Sequence, residues 1–245
     1  LVGSEMCIRD RAYFEWMPVR ATNPSEQGHL YRSLTFGDLV ELTMMDLRTY
    51  RDEQVRFGPR KMAAEGRTML GSEQYNWLFN KIETSSAKWN MLGNSVMFSP
   101  MNLATLQQDD KTKPVSSSLS SNITGIPVNG DQWDGYSAER RLLIDALSKH
   151  DSHTLFVTGD IHSEWAHNIS KDGRIFGAEM VCASVSAPNV NEQLKLPEGN
   201  ELSKLAERYL MGANPHTRHV DLDHHGYSYV TVRPVSYTHL RAHET

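Results

Sequence analysis

TLFVTGDIHSEW, Thr154 to Trp165, is the stretch from which the rest of this chain can be read. Leu155, Phe156 and Val157 form a short apolar run with strand-forming character. Gly159 follows, where the backbone is expected to turn or to approach another group closely. Asp160 and His162 come next, two residues apart, and side chains at that spacing project to one side of an extended backbone. A hard oxygen and a borderline nitrogen converging on one point suit a metal ion. An Asp-x-His after a strand also occurs as a capped turn, so the pair alone leaves both readings open.

The flanking segments supply the context. SAERRLLIDALSKH (Ser137–His150) leads into the strand and carries Leu142, Leu143, Ala146 and Leu147 on one side, the pattern of an amphipathic helix. HNISKDGRIFGAEMVCASVSAP (His167–Pro188) follows and reads as two strands about a Lys171-Asp172-Gly173 turn. Farther upstream, Ser33–Asp52 reads as a hairpin: a short strand, a Gly37-Asp38 turn, then a strand through Leu39–Met45. Gly71-Ser72-Glu73-Gln74 predicts a helix start capped by Ser72, with Trp77, Leu78 and Ile82 as the apolar side. Trp89–Pro100 is a further strand candidate, ended by its proline. The span from about Asn102 to Gly130 is rich in Ser, Gln, Asn, Asp and Lys without periodicity, and predicts a long surface loop. Downstream, a helix is predicted over about Glu201–Met211, stopped by Gly212, and HVDLDHHGYSYVTV (His219–Val232) reads as a closing hairpin. Hairpins mixed with helix-then-strand units predict an α/β fold with helices covering a mixed sheet.

The two ends read differently. LVGSEMCIRDR at the start and VSYTHLRAHE (Val235–Glu244) near the end translate one DNA string and its reverse complement, a string that looks like a transposase adapter used in preparing sequencing libraries. Residues 1–11 and 234–245 are therefore expected to be translated adapter, with the genuine segment, Ala12–Arg233, cut at both ends. Setting them aside removes Cys7 and leaves Cys182 alone, so no intrachain disulfide is expected. The formal net charge of −5 is unaffected, and a mildly acidic chain without a basic stripe argues against nucleic-acid binding. No apolar run is long enough to span a bilayer.

Six segments, taken together and in this order, resemble the PhoD-like alkaline phosphatase and phosphodiesterase family. They are AYFEWMPVR (Ala12–Arg20), YRSLTFGDLVELTMMDLRTYRD (Tyr31–Asp52), GRTMLGSEQYNWL (Gly66–Leu78), WDGYSAER (Trp133–Arg140), VTGDIHSEWA (Val157–Ala166) and NPHTRHVDLDHHGY (Asn214–Tyr227). His224 departs from the family pattern, which often has arginine before the Gly-Tyr pair. The resemblance implies a metallophosphoesterase-type sandwich of two mixed β-sheets flanked by helices, incomplete here on its N-terminal side. It implies a metal-dependent phosphoric ester hydrolase acting on small phosphate esters, holding calcium (Ca2+) and iron (Fe3+), secreted or periplasmic through twin-arginine export. In that family the Gly-Asp-x-His segment supplies metal ligands, which carries over to Asp160 and His162. The remaining ligands, an early Asp and Cys, an Asp-x-x-Tyr segment and a His-Glu-x-x-Asn segment, are implied to lie upstream of Ala12. This chain then resembles the C-terminal portion of the catalytic domain and is expected to be inactive by itself. The alternatives are a phosphodiesterase of different substrate, or a non-catalytic relative lacking a complete metal centre.

Other residues carry two readings each. Arg20, Arg48 and Arg51 have the chemistry to hold substrate oxygens bidentately, or to tie strand ends to carboxylates such as Asp46 or Asp52. Trp165 is a candidate pocket wall or a packing residue. His219, His224 and His225 invite a second metal site, but adjacent His224 and His225 point opposite ways in a strand and read better as an exposed rim. His150 and His153 are expected to serve the end of the preceding helix. Met44, Met45, Met97 and Met101 read as core and rim filling.

Overall fold

Leu34, Phe36, Val40, Leu42 and Met44 alternate with polar residues on either side of Gly37, which is the pattern of two paired strands. The computed structural model, which describes residues 15–17, 29–55, 58–105, 125–127, 129–233 and 239–244, forms this hairpin from β1 (Arg32–Phe36) and β2 (Val40–Met44). Gly37 takes φ +58 in the turn, a conformation open to glycine without steric cost. β3 (Trp89–Asn94), β6 (His153–Thr158), β7 (Glu164–Lys171), β8 (Arg174–Val181) and β9 (Thr217–Asp221) complete a seven-stranded sheet in the order β1-β2-β3-β6-β8-β7-β9. β2, β3, β6 and β8 run parallel to one another, β1 and β7 run against them, and β9, paired antiparallel to β7, runs with them again. The tight turn between β7 and β8 puts Asp172 at φ 50 and Gly173 at φ 79, the left-handed pair that a two-residue hairpin requires.

The register aligns Thr43, Leu92, Phe156, Glu179 and His167 in one row across the sheet. Helices α2 (Gly71–Thr84) and α3 (Ser137–Leu147) pack over this face, following the short helix α1 (Pro59–Met62). They contribute Leu78, Ile82, Leu143 and Leu147, each at most 3% exposed. At roughly 2 kcal/mol for each fully buried aliphatic side chain, this packing outweighs helix propensity as the reason the helices form. Leu142 departs from the sequence expectation: it lies 49% exposed, on the side of α3 away from the core. Phe98 and Phe156 stack with ring centroids 4.0 Å apart, and Trp133 meets Phe98 edge-on at 5.3 Å.

Several expectations are corrected. Ser72 does not cap α2. Gly71, at φ +70 and too close to Tyr50 to accept a Cβ, makes the turn, which leaves Ser72 inside the helix. The N–H groups at this end are met from elsewhere: Leu70 and Gly71 donate to Thr68 Oγ1, and Met69 and Leu70 donate to Glu139 Oε2 from α3. The predicted loop about 102–130 contains β4 (Asn102–Thr105) paired with β5 (Gly125–Pro127), and its last residues lead into a 3-10 turn, Trp133–Tyr136. After α4 (Val190–Gln193), helix α5 (Glu201–Ala213) runs through Gly212 and ends where Asn214 ties to the backbone of Asn102 through both side-chain atoms. The closing hairpin is not formed between its expected strands. Asp221 Oδ1 accepts from the N–H groups of Asp223 and His224, turning the chain out of the sheet, so β9 pairs with β7 and β10 (Gly226–Thr231) pairs with β11 (His239–Glu244). The mixed, helix-covered sheet is the α/β fold expected, and beside it the described residues hold these two two-stranded ladders. No helix among them is long and apolar enough to cross a membrane.

The row ends at a buried histidine pair. His167 is 2% exposed, 3.0 Å from Thr217 Oγ1, and its ring sits 5.3 Å from that of His216. Burial pushes His167 down to about 3 and His216 down to about 4, the latter also through repulsion from His167. Both are then neutral when folded, and the unfolded chain takes up protons first as pH falls. Stability is fully present above the unfolded value near 6.5 and drains away as pH falls toward the folded values. At about 1.4 kcal/mol per pH unit, His167 alone costs about 3 kcal/mol at pH 4. Denaturant titrations at pH 7.5 and pH 4.5 are expected to show this loss, reduced in His167→Asn; an equal pH slope in both proteins would assign the acid sensitivity elsewhere.

Candidate active site

The carboxyl end of β6 presents the Asp160–His162 pair. Thr158, the last strand residue, is fixed by three bonds: its hydroxyl accepts from Asn94 Nδ2 at 3.0 Å and donates to Glu179 Oε1 at 2.8 Å, and its carbonyl accepts from Cys182 N at 2.9 Å. Beyond it the chain reverses, though not at Gly159 as the sequence led us to expect. Gly159 has open space where a Cβ would stand and no left-handed φ. The left-handed conformations fall on Asp160 (φ 80) and His162 (φ 54). Asp and His adopt this region more readily than most side chains, but it costs backbone energy all the same.

The two side chains are held by different partners. His162 Nδ1 lies 3.2 Å from the carbonyl of Pro188; a carbonyl only accepts, so Nδ1 carries the proton and the Nε2 lone pair is the one available to a ligand. Asp160 Oδ1 receives Arg48 Nη2 at 3.2 Å. Arg48 itself reaches the site from the loop after β2, where Asp46 Oδ1 accepts from Arg48 N and Thr49 N at 3.0 Å each. That loop is pinned to α2 by Gln74, which donates to Asp46 O and accepts from Asp46 N, both at 2.8 Å.

Arg48 and Arg51 do not pair with Asp46 or Asp52 through their guanidinium groups. Both converge on Asp131, with Arg48 Nη1 2.8 Å from Oδ2 and Arg51 Nη2 2.8 Å from Oδ1. Burial pushes the Asp131 carboxyl up, but the two guanidinium groups outweigh it and hold it below the usual carboxylate range. Trp165 takes the packing role: it is 2% exposed among Met97, Val181, Val220 and Leu222, and its Nε1 donates to Ser163 Oγ at 2.8 Å. Arg20 lies outside the described residues. A large cleft runs between α3 and the β7–β8 turn past Arg141, Lys171 and His216, but Asp160, His162 and Arg48 do not line it.

The histidine trio does not gather. His224 bonds Asp221 and Glu198, His225 bonds Glu192 and the Ser184 carbonyl, and His219 lies 3.3 Å from Glu164, whose hydrogen bond raises its pKa. His153 belongs to β6 and packs against Trp89, with centroids 4.7 Å apart, instead of serving the end of α3. Among the methionines, Met45 and Met97 are core residues and Met44 lies 37% exposed.

Whether these residues suit a metal can be judged from the donor set. A carbonyl-anchored imidazole and a partly exposed carboxylate two residues away have the chemistry of two ligands. No group of three or more His, Cys, Asp and Glu side chains able to hold a metal occurs among the described residues. Two donors therefore fit, and they do not close a centre by themselves. Asp131, Glu179 and Asn94 were not singled out in the sequence. Asp131 lies beside the Trp-Asp-Gly-Tyr segment, and Glu179 interrupts an apolar strand, Ile175–Val181; those were the available signals.

A mixed sheet with charged groups collected at the carboxyl ends of its parallel strands has the layout of α/β proteins that bind ligands outside those strand ends. The family model of PhoD-like phosphatases matches residues 9–239, and the chain belongs to that family. It is 33% identical over 240 residues to alkaline phosphatase D of Bacillus subtilis (strain 168), an alignment covering 91% of this chain and 36% of that protein. It also superposes on a solved structure described as "Structure of PhoD", with a TM-score of 0.69 and 28% identity, covering 91% of this chain and 40% of the other. The chain thus spans between a third and a half of the relatives it matches.

Proposed function

We propose that the full-length protein hydrolyses phosphate esters, and that the end of β6 forms one side of its active site. The observation that carries the reading is the contact of Arg48 with Asp160, in which a guanidinium anchored on Asp131 stands directly against the candidate ligand pair. Family membership and the name of the Bacillus relative support the same chemistry.

Asp160 and His162 are assigned as two ligands of a centre holding calcium and iron, whose other ligands come from outside the described residues. Such ions would neutralise phosphoryl oxygens and lower the pKa of a bound water. Arg48 is assigned to a non-bridging oxygen of the phosphoryl group, for which the planar guanidinium offers paired donors. His162 would serve through Nε2, since Nδ1 is held by the Pro188 carbonyl. Export by the twin-arginine route, and a small phosphate ester as substrate, belong to the same proposal.

The test is hydrolysis of an aryl phosphate monoester and a bis-aryl phosphate diester by the purified full-length protein supplied with calcium and iron. Turnover of at least one, abolished by chelation, is the expected result, and the ratio of the two separates monoesterase from diesterase. The present chain alone is expected to turn over neither. A full-length protein with no hydrolysis under any metal supply would instead be a non-catalytic relative.

A further inference from the structure

We infer that Asp131 is a positioning residue that holds Arg48 and Arg51 side by side as a clamp for the anionic oxygens of the substrate; the inference rests on the phosphate-ester reading above. The carboxylate bridges both cations. Arg48 Nη1 donates to Oδ1 at 2.9 Å and to Oδ2 at 2.8 Å, Arg51 Nη2 lies 2.8 Å from Oδ1, and Arg51 Nη1 donates to the Asp131 carbonyl at 2.9 Å. Arg48 is left with Nη2 directed toward Asp160, so the clamp ends where the candidate ligand pair begins. Asp131 cancels one of the two positive charges, and in this structure the other is met by Asp160, which is the carboxylate an incoming anion would share Arg48 with. Exposure is graded the same way: the side chain of Arg51 is 17% exposed, that of Asp131 25% and that of Arg48 42%, closed at the anchor and open toward the site. Without the bridging charge, two like-charged side chains would repel and regain rotamer freedom.

The surroundings fix Asp131 from both sides. A Cβ on Gly130 would collide with Val55 O, and one on Gly135 with Gly130 O, so the backbone packs too closely there for side chains. Trp133, fully buried, donates from Nε1 to Asn94 Oδ1 at the end of β3 at 2.9 Å. Tyr136 donates its hydroxyl proton to Asp52 O at 2.7 Å, joining this turn to the segment that carries Arg51. The carboxylate and both arginines thus stand on backbone tied to the sheet and to α2, the preorganisation that a ligand clamp needs.

The test uses the full-length protein and two readouts, calorimetric titration with inorganic phosphate and steady-state hydrolysis of an aryl phosphate. Asp131→Asn is expected to weaken phosphate binding and raise KM by roughly tenfold, the loss of a charge-assisted contact, with kcat and metal content close to wild type. Asp131→Glu, which keeps the bridging charge, should recover much of the affinity. Wild-type phosphate affinity in Asp131→Asn overturns the inference, as does a joint loss of kcat and bound metal with affinity unchanged. Should Asp131→Asn fail to fold by circular dichroism, Arg51→Gln decides: weaker phosphate binding supports the clamp and unchanged binding removes it. A wild-type protein that binds phosphate without hydrolysing esters would defeat the proposed function and leave the clamp to stand on the binding data. One that binds no phosphate would defeat the clamp.

Discussion

In the full-length protein, Asp160→Asn is expected to lower phosphate-ester hydrolysis by about 10³-fold, the scale of losing a preorganised electrostatic contact. The substitution keeps the volume and removes the charge. It also suits the backbone, because asparagine accepts the left-handed φ of 80 at this position about as well as aspartate does. Alanine would add strain and blur the result. The ion pair lost with it, Arg48–Asp160, has side chains 42% and 36% exposed and is worth roughly 0–1 kcal/mol. A fall in rate and in bound calcium at nearly unchanged stability would therefore report on the site itself. Unchanged rate and unchanged calcium would take Asp160 out of it.

The largest effect on stability is expected at Glu179, which is fully buried in β8 and makes no ion pair among the described residues. Its carboxylate accepts from Phe98 N and Ser99 N at 2.7 Å each and from Thr158 Oγ1 at 2.8 Å. An ionised carboxylate offers only acceptors, which matches three donors; a glutamine would turn an NH2 toward one of them. Glu179→Gln is expected to cost about 3 kcal/mol or more, and Glu179→Ala a comparable amount, because buried donors are left unmet in both. Out of a stability of roughly 5–15 kcal/mol this is a large share. Urea denaturation measures it, and a loss under about 1 kcal/mol would show that water or neighbouring groups replace the carboxylate. The same contacts join the loop after β3 to the end of β6, so the variant should also loosen the platform beneath Asp160.

Local signals in the sequence were read well, and long-range ones were not. The β1–β2 hairpin follows from alternation about Gly37, and the β7–β8 hairpin from Asp172-Gly173, because each is specified within a dozen residues. Strand β6 and its exposed Asp-x-His end were legible for the same reason. The cap of α2 was legible only in its local half: Thr68 Oγ1 meets Leu70 N and Gly71 N, but the other acceptor is Glu139, some seventy residues downstream. The final strands separated for a similar reason: whether β9 pairs with β7 or with β10 is decided by the sheet edge on offer, which no local pattern records. Arg48 was identifiable as a residue able to bind anions, but its anchor was assigned to neighbouring carboxylates. Asp131, 83 positions away, holds it instead. Glu179 and His167 illustrate a further limit. Charged or titratable residues in a strand read as solvent-facing until the register places them in the buried row with Leu92 and Phe156.

The left-handed backbone at Asp160 and His162 has a consequence for anyone evolving this protein in the laboratory. Glycine would relax both positions, so the local backbone energy favours glycine variants that lack the carboxylate and the imidazole. A library screened for heat resistance alone would be enriched in those losses. Thermal selection here has to be coupled to a functional screen, or its winners will be sturdier proteins that have discarded the corner of the molecule most worth keeping.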